Sequence, residues 1–132
     1  MGQSFKDLVA WQRSIELTMA IYKLTTAFPA SERFGLTNQM RRAAVSVASN
    51  IAEGYGRSTI GEYIQFLGHA RGSCCELETQ IVIAKGLSFG AAESFETTSR
   101  LCADEGRLLG HLIKSLQTKR QSGPKSLSPS VP

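Results

Sequence analysis

The sequence predicts an all-α fold, an antiparallel up-down-up-down four-helix bundle. Three observations carry that expectation. The four prolines are Pro29, Pro124, Pro129 and Pro132, so the span from Ala30 to Gly123 contains none and is permissive for long helices. Along that span, apolar residues recur at three- and four-residue spacing, the period of a helix. No segment alternates in the two-residue rhythm of a half-buried strand, and there is no internal repeat. Four amphipathic segments of roughly 20–29 residues joined by short links pack most simply as antiparallel neighbours.

The first helix is expected from about Asp7, whose charge suits a helix N-terminus, to about Ala27. Leu8, Trp11, Ile15, Met19, Tyr22 and Thr26 form one stripe, and Val9, Leu17, Ile21, Leu24 and Phe28 a second. The apolar arc is therefore wide. Pro29 ends the helix, because a residue before proline is pushed out of helical geometry. Trp11, the single tryptophan, reads as a core anchor. Pro29 to Gly35 reads as a polar turn, with Phe34 folding back onto the bundle.

The second helix, Leu36 to Tyr55, is the element around which the chain is organised. Stepping 100° per residue puts Leu36, Met40, Ala43, Ala44, Val47, Ala48, Ile51 and Tyr55 on one broad face. Arg42, Ser46, Ser49 and Glu53 form a narrow polar stripe flanked by Gln39 and Asn50. So much apolar circumference asks for cover on more than one side, and the surplus is what a subunit contact buries. Gly54 and Gly56 bracket the exit, where positive φ is expected to end the helix.

The third helix opens on Thr59-Ile60-Gly61-Glu62, a capping-box pattern. Tyr63, Phe66, Leu67, Ala70, Cys74, Leu77, Ile81 and Ala84 follow as its stripe. Gly68 and Gly72 each cost about 1 kcal/mol in a helix interior, so they are read as points of close helix crossing. After a turn at Ser88-Phe89-Gly90, the fourth helix runs from about Ala92 to Arg120. Phe95, Thr98, Cys102, Glu105, Leu109, Leu112 and Leu116 keep the spacing, and Lys114, Lys119 and Arg120 suit its C-terminal dipole. Residues 1–120 are thus one bundle domain. Residues 121–132 read as a disordered, basic Ser/Pro-rich tail.

Composition narrows the function classes. At 132 residues, 42% hydrophobic and 20% charged, the chain is one domain with a real core. No run approaches the ~18 continuous apolar residues of a membrane span, and Met1 to Asp7 lacks the apolar core of a signal peptide. A cytoplasmic protein without membrane contact is expected. The three cysteines, Cys74, Cys75 and Cys102, make a poor disulfide framework, and Cys74 and Cys102 read as core residues. His69 and His111 stand alone. No phosphate loop, nucleophile set or Glu-x-x-His metal pair occurs, so no catalytic residue, metal or cofactor is expected.

The net charge is +4. Met1 to Thr118 balances 12 Lys and Arg against 11 acids, leaving Lys119, Arg120 and Lys125 as an excess at the end. Arg41 and Arg42 have two readings. One is an ion pair with Glu53, Glu76 or Glu78, within or between subunits. The other is a phosphate contact, with Arg57, Lys119 and Arg120 in the same role and Arg71, Arg100 and Arg107 extending the patch. Tyr55 beside Arg57 is placed to stack on a base or to pack on the bundle end.

Gln39-Met40-Arg41-Arg42-Ala43-Ala44, then Asn50-Ile51-Ala52-Glu53-Gly54 and Arg57, resemble the signature of the four-helix bundle proteins encoded in 23S ribosomal RNA intervening sequences. Phe5-Lys6-Asp7-Leu8-Val9-Ala10-Trp11-Gln12, Tyr22 through Phe28-Pro29, and Phe66-Leu67, Ala70, Gly72-Ser73 and Glu76-Leu77-Glu78 extend the resemblance. It covers Ser4 to Arg120, the fourth helix in pattern only and the tail not at all. It implies a bundle assembling as a homo-pentameric ring, of poorly defined role and without known enzyme activity. Distant relatives of the family include accessory proteins of retroelements that engage a reverse transcriptase and nucleic acid. RNA or DNA is therefore an expected partner, and a protein partner such as a polymerase the alternative. Trp11, Met40, Ala44, Val47, Asn50, Ile51, Glu53, Gly54, Glu76 and Glu78 are then expected to serve folding and assembly.

Overall fold

The computed structural model describes residues 3–122. A 3-10 turn, Phe5–Asp7, opens the chain and is capped by Ser4, whose hydroxyl accepts the Lys6 amide at 3.0 Å. Asp7 accepts the Ser4 amide at 3.1 Å, so its carboxylate serves this turn and the first long helix begins just after it. Four helices follow: α1 (Val9–Thr26), α2 (Leu36–Tyr55), α3 (Ile60–Gly86) and α4 (Ala92–Ser122). No strand occurs among the described residues. Helix α1 packs on α2, α2 on α3, α3 on α4, and α4 closes back on α1, while the diagonal pairs do not meet. With such short connections, this is a four-helix bundle whose sequence neighbours run antiparallel.

Local chemistry sets the helix ends. Phe28-Pro29 stops α1 as expected. Glu32 then reaches forward, its Oε1 accepting the Leu36 amide at 2.9 Å, and so satisfies one orphan donor at the start of α2. Thr59 Oγ1 accepts the Glu62 amide at 3.1 Å, the capping contact read from the sequence. The α4 helix continues through Gln121 and Ser122, two residues into the expected tail, with Ser122 Oγ donating to the Thr118 carbonyl at 3.0 Å. Residues 123–132, where the rest of that tail was expected, lie outside the described residues.

The core has two apolar layers. One joins Leu17, Ile21, Leu24 and Phe28 of α1 with Met40, Ala43, Ala44, Leu77, Ile81, Ala84, Phe95 and Cys102. The other joins Ala10, Val47, Ile51, Leu67, Ala70, Cys74 and Leu109, with Leu8, Trp11, Tyr63, Leu112, Ile113 and Leu116 packed around it. In chain order, Ser14 and Glu105 fall between the two layers, and both are fully buried. Ser14 is satisfied by donating to the Trp11 carbonyl at 2.6 Å. Trp11 is half-buried at the edge of the second layer, with Phe5 edge-on at 5.4 Å.

Four expectations change. The buried face of α1 is Ala10, Ser14, Leu17, Ile21, Leu24 and Thr25, while Val9, Met19 and Tyr22 are exposed. Phe34 does not fold back: it is 84% exposed, with the Arg33 guanidinium over its ring at 5.2 Å. Gly54 is not a positive-φ stop but lies inside α2, and no described glycine has positive φ. Gly68 and Gly72 are exposed and have nothing within 4 Å of where a side chain would begin, so neither marks a crossing. The close crossing is at Gly54, where a methyl group would come within 2.7 Å of Phe66 Cβ. Met40, Ala44, Val47 and Ile51 are completely buried in the subunit's own core, which consumes the apolar surplus of α2.

Candidate nucleic-acid interface

Arg41 is half-buried where α2 crosses α1. Its Nε donates to Thr25 Oγ1 at 2.8 Å and its Nη2 to the Tyr22 carbonyl at 3.3 Å. The guanidinium lies over the Tyr22 ring at 4.6 Å. Arg41 thus ties α2 to α1, and no carboxylate takes part. Arg42 is exposed and makes no ion pair among the described residues. Glu76 borders a hollow that it shares with Gln39, Arg42, Ala43 and Ser46, yet it does not reach Arg42. Glu53 pairs instead with Arg57 at 2.8 Å, one helical turn along α2; Glu78 is exposed and also unpaired among the described residues. Among the described residues the ion pairs foreseen for Arg41 and Arg42 inside the subunit do not form; Arg41 is held instead by the Thr25 hydroxyl and by the carbonyl and ring of Tyr22 on α1.

The rest of the polar stripe binds α2 to α3. Ser46 and Ser73 hydroxyls meet at 3.0 Å, and Asn50 Nδ2 donates to both the carbonyl and the hydroxyl of Ser46, at 2.9 and 3.0 Å. At the far end of α2, Arg57 lies over the Phe66 ring at 4.5 Å. Tyr55 meets Tyr63 edge-on at 5.9 Å, so its ring packs on the bundle end. Arg120 crosses from α4 to lay its guanidinium over Gly61, where a methyl group would come within 3.3 Å of Nη2. Arg57, Lys119 and Arg120 thus share one end of the bundle. Arg41 and Arg42 lie about 20 Å before the end of α2, at 1.5 Å per residue, and the five residues do not form one patch.

The structure adds a surface that the sequence left scattered. Every charged residue of α4 after Glu105 is basic: Arg107, Lys114, Lys119 and Arg120, with His111 among them. Arg107 pairs with Asp104. Arg71 crosses from α3 to lie over Gly110, its Cζ 3.5 Å from where a side chain would begin. Gly61 and Gly110 are therefore seats for arginines from the facing helix. The signal was present in the sequence as an absence of acids after Glu105, but pairing across helices is invisible there.

Among the described residues, no group of three His, Cys, Asp or Glu side chains lies together to hold a metal. Cys102 Sγ donates to the Cys74 carbonyl at 3.5 Å, and contact with Cys102 together with burial pushes the Cys74 thiol upward, away from a reactive thiolate. Both carboxyl oxygens of Glu105 are buried without a partner among the described residues. Burial pushes its pKa up to about 8, against the opposing charge of Arg13. No described helix is long and apolar enough to cross a membrane.

A family model described as 23S rRNA-intervening sequence protein matches residues 6–111. The chain belongs to that family. A crystal structure from Bacteroides thetaiotaomicron, described as a protein with unknown function from the S23 ribosomal protein family, has the same fold. It gives a TM-score of 0.73 at 22% identity, over 80% of this chain and 99% of that one. No curated protein matches the chain. The 23S rRNA-intervening sequence family match takes in Arg41, Arg42, Arg57, Arg71 and Arg107 and ends at His111. Lys114, Lys119 and Arg120 lie beyond it.

Proposed function

We propose that this protein is a non-catalytic, homo-oligomeric nucleic-acid-associated protein, a ring of five copies by resemblance to its family. The supporting observation is the basic half of α4, joined by Arg71 across Gly110 and by Arg120 across Gly61, with Arg57 at the same end. Phosphates attract such a surface without regard to sequence, releasing counterions. Symmetry multiplies the charge: a subunit of +4 makes a ring of about +20, which favours salt-sensitive binding.

Retention on RNA and DNA tests this. Binding is expected at ~50 mM salt and lost steeply by ~200 mM. Combining Arg71→Gln, Lys114→Gln and Arg120→Gln should lower the slope of log affinity against log salt by about three, roughly one per phosphate contact. A well-folded oligomer that binds neither nucleic acid at low salt removes the proposal.

The second reading is a scaffold that recruits an enzyme such as a polymerase through the outside of the ring. The exposed Leu87 just after α3 favours it. A stoichiometric protein partner that survives nuclease treatment in a pull-down from native lysate would support this reading over the first.

A further inference from the structure

Between α1 and the first half of α2 lies an open hollow of about 510 Å³, lined by Tyr22, Asn38, Arg41, Arg42, Val45 and Ser46. Two guanidiniums and an amide border it, and among the described residues no carboxylate does. Arg41 is set in place before any ligand arrives. Thr25, which accepts from Arg41 Nε at 2.8 Å, is itself buried and fixed by donating to the Ile21 carbonyl at 2.8 Å. The Tyr22 carbonyl and ring hold the guanidinium from the other side. These contacts use two of the five N–H donors of an arginine, and the remaining donors have no partner among the described residues. Arg42 is exposed beside it and unpaired among the described residues. A pre-ordered fork loses less freedom on binding than a mobile one.

Two guanidiniums bordering one hollow, neither in an ion pair among the described residues, match a doubly charged tetrahedral oxyanion better than a single carboxylate. Tyr22 and Val45, both partly exposed, add an apolar flank that suits an organic group attached to that anion. Asn38 supplies a neutral donor. We propose that the Tyr22–Arg41–Arg42 hollow binds a phosphomonoester, with both arginines on the phosphate oxygens. The site lies on α1 and α2, apart from the α4 surface, so it stands or falls independently of the nucleic-acid reading. The same group is carried by a free nucleotide and by the 5′-phosphate of an oligonucleotide.

The test is a TROSY NMR titration of the full chain with inorganic phosphate, then adenosine monophosphate, each against sodium chloride at equal ionic strength. Saturable shifts are expected at Tyr22, Asn38, Arg41, Arg42 and Val45, with adenosine monophosphate binding more tightly than phosphate. Arg42→Gln, at an exposed position, should weaken binding at least about tenfold, the scale of a lost charge-assisted contact, with an unchanged spectrum elsewhere. Paired oligonucleotides with and without a 5′-phosphate then distinguish the sources. A preference for the phosphorylated strand assigns the nucleic-acid end, and no preference assigns the free nucleotide. If Arg71→Gln, Lys114→Gln and Arg120→Gln abolish nucleic-acid retention while these shifts persist, the two sites are separate. Shifts that chloride reproduces, that do not saturate, that inorganic phosphate alone elicits, or that survive Arg42→Gln overturn the proposal.

Discussion

Glu105 lies on the core-facing stripe of α4 with Phe95, Thr98, Cys102 and Leu109. Periodicity alone put it there; what the sequence did not reveal is that neither carboxyl oxygen finds a partner among the described residues. A charge without compensation inside a bundle is costly, so the group holds its proton. In the unfolded chain it titrates near 4.5, and in the fold near 8. Below the first value both states are protonated and the fold keeps its full stability. As pH rises toward the second, the unfolded chain releases the proton first and stability falls, by roughly 2–3 kcal/mol between pH 6 and pH 9. Urea midpoints at those two pH values should therefore differ for the native protein and converge for Glu105→Gln. A native midpoint that does not move with pH would show that Glu105 finds solvent or a partner. Arg41 teaches a related lesson. Its charge was legible in the sequence, but its contacts with Tyr22 and Thr25, far away in the chain, were not.

At the scale of the helix, the bounds of α2 were readable because Pro29, Gly35, Gly54 and Gly56 punctuate the sequence on both sides. The role of its glycine was not. Gly54 looks like a terminator, yet it is a buried point of contact with Tyr63 and Phe66. Stepping 100° per residue places Gly68 and Gly72 away from the Leu67, Ala70 and Cys74 face, which argues against the close crossing expected there. These two readings predict opposite mutational outcomes. Gly54→Ala forces α2 and α3 apart, and overpacking of this kind costs about 1–3 kcal/mol. Gly72→Ala meets open space and gains helix propensity, about 1 kcal/mol in the stabilising direction. Thermal melts of the two variants should move in opposite directions. A neutral Gly54→Ala would mean that the α2–α3 crossing is looser than its geometry indicates.

At the scale of the whole molecule, the apolar residues of α2 explain the bundle before they explain any assembly. Ala44 and Ile51 are sealed inside one subunit, so Ala44→Glu or Ile51→Asp buries an unpaired charge and should unfold the subunit itself. Loss of an oligomer in those variants says nothing about a subunit contact. The informative positions are the apolar ones that the bundle leaves uncovered. On α3, Cys75, Thr79, Val82, Ile83 and Gly86 are all exposed and none is charged. Val82 is 67% and Ile83 48% exposed, so this is the uncharged apolar face on which a contact between copies is to be tested. If the chain closes into a ring, Ile83→Glu should release a smaller species by light scattering while the helical signal and the melt of the subunit stay near native. Ile51→Asp should lose the helical signal. A native protein that runs as a monomer removes the ring, whereas an Ile83→Glu variant that keeps the native mass moves the contact to the Met19, Tyr22 and Val45 side of α1 and α2.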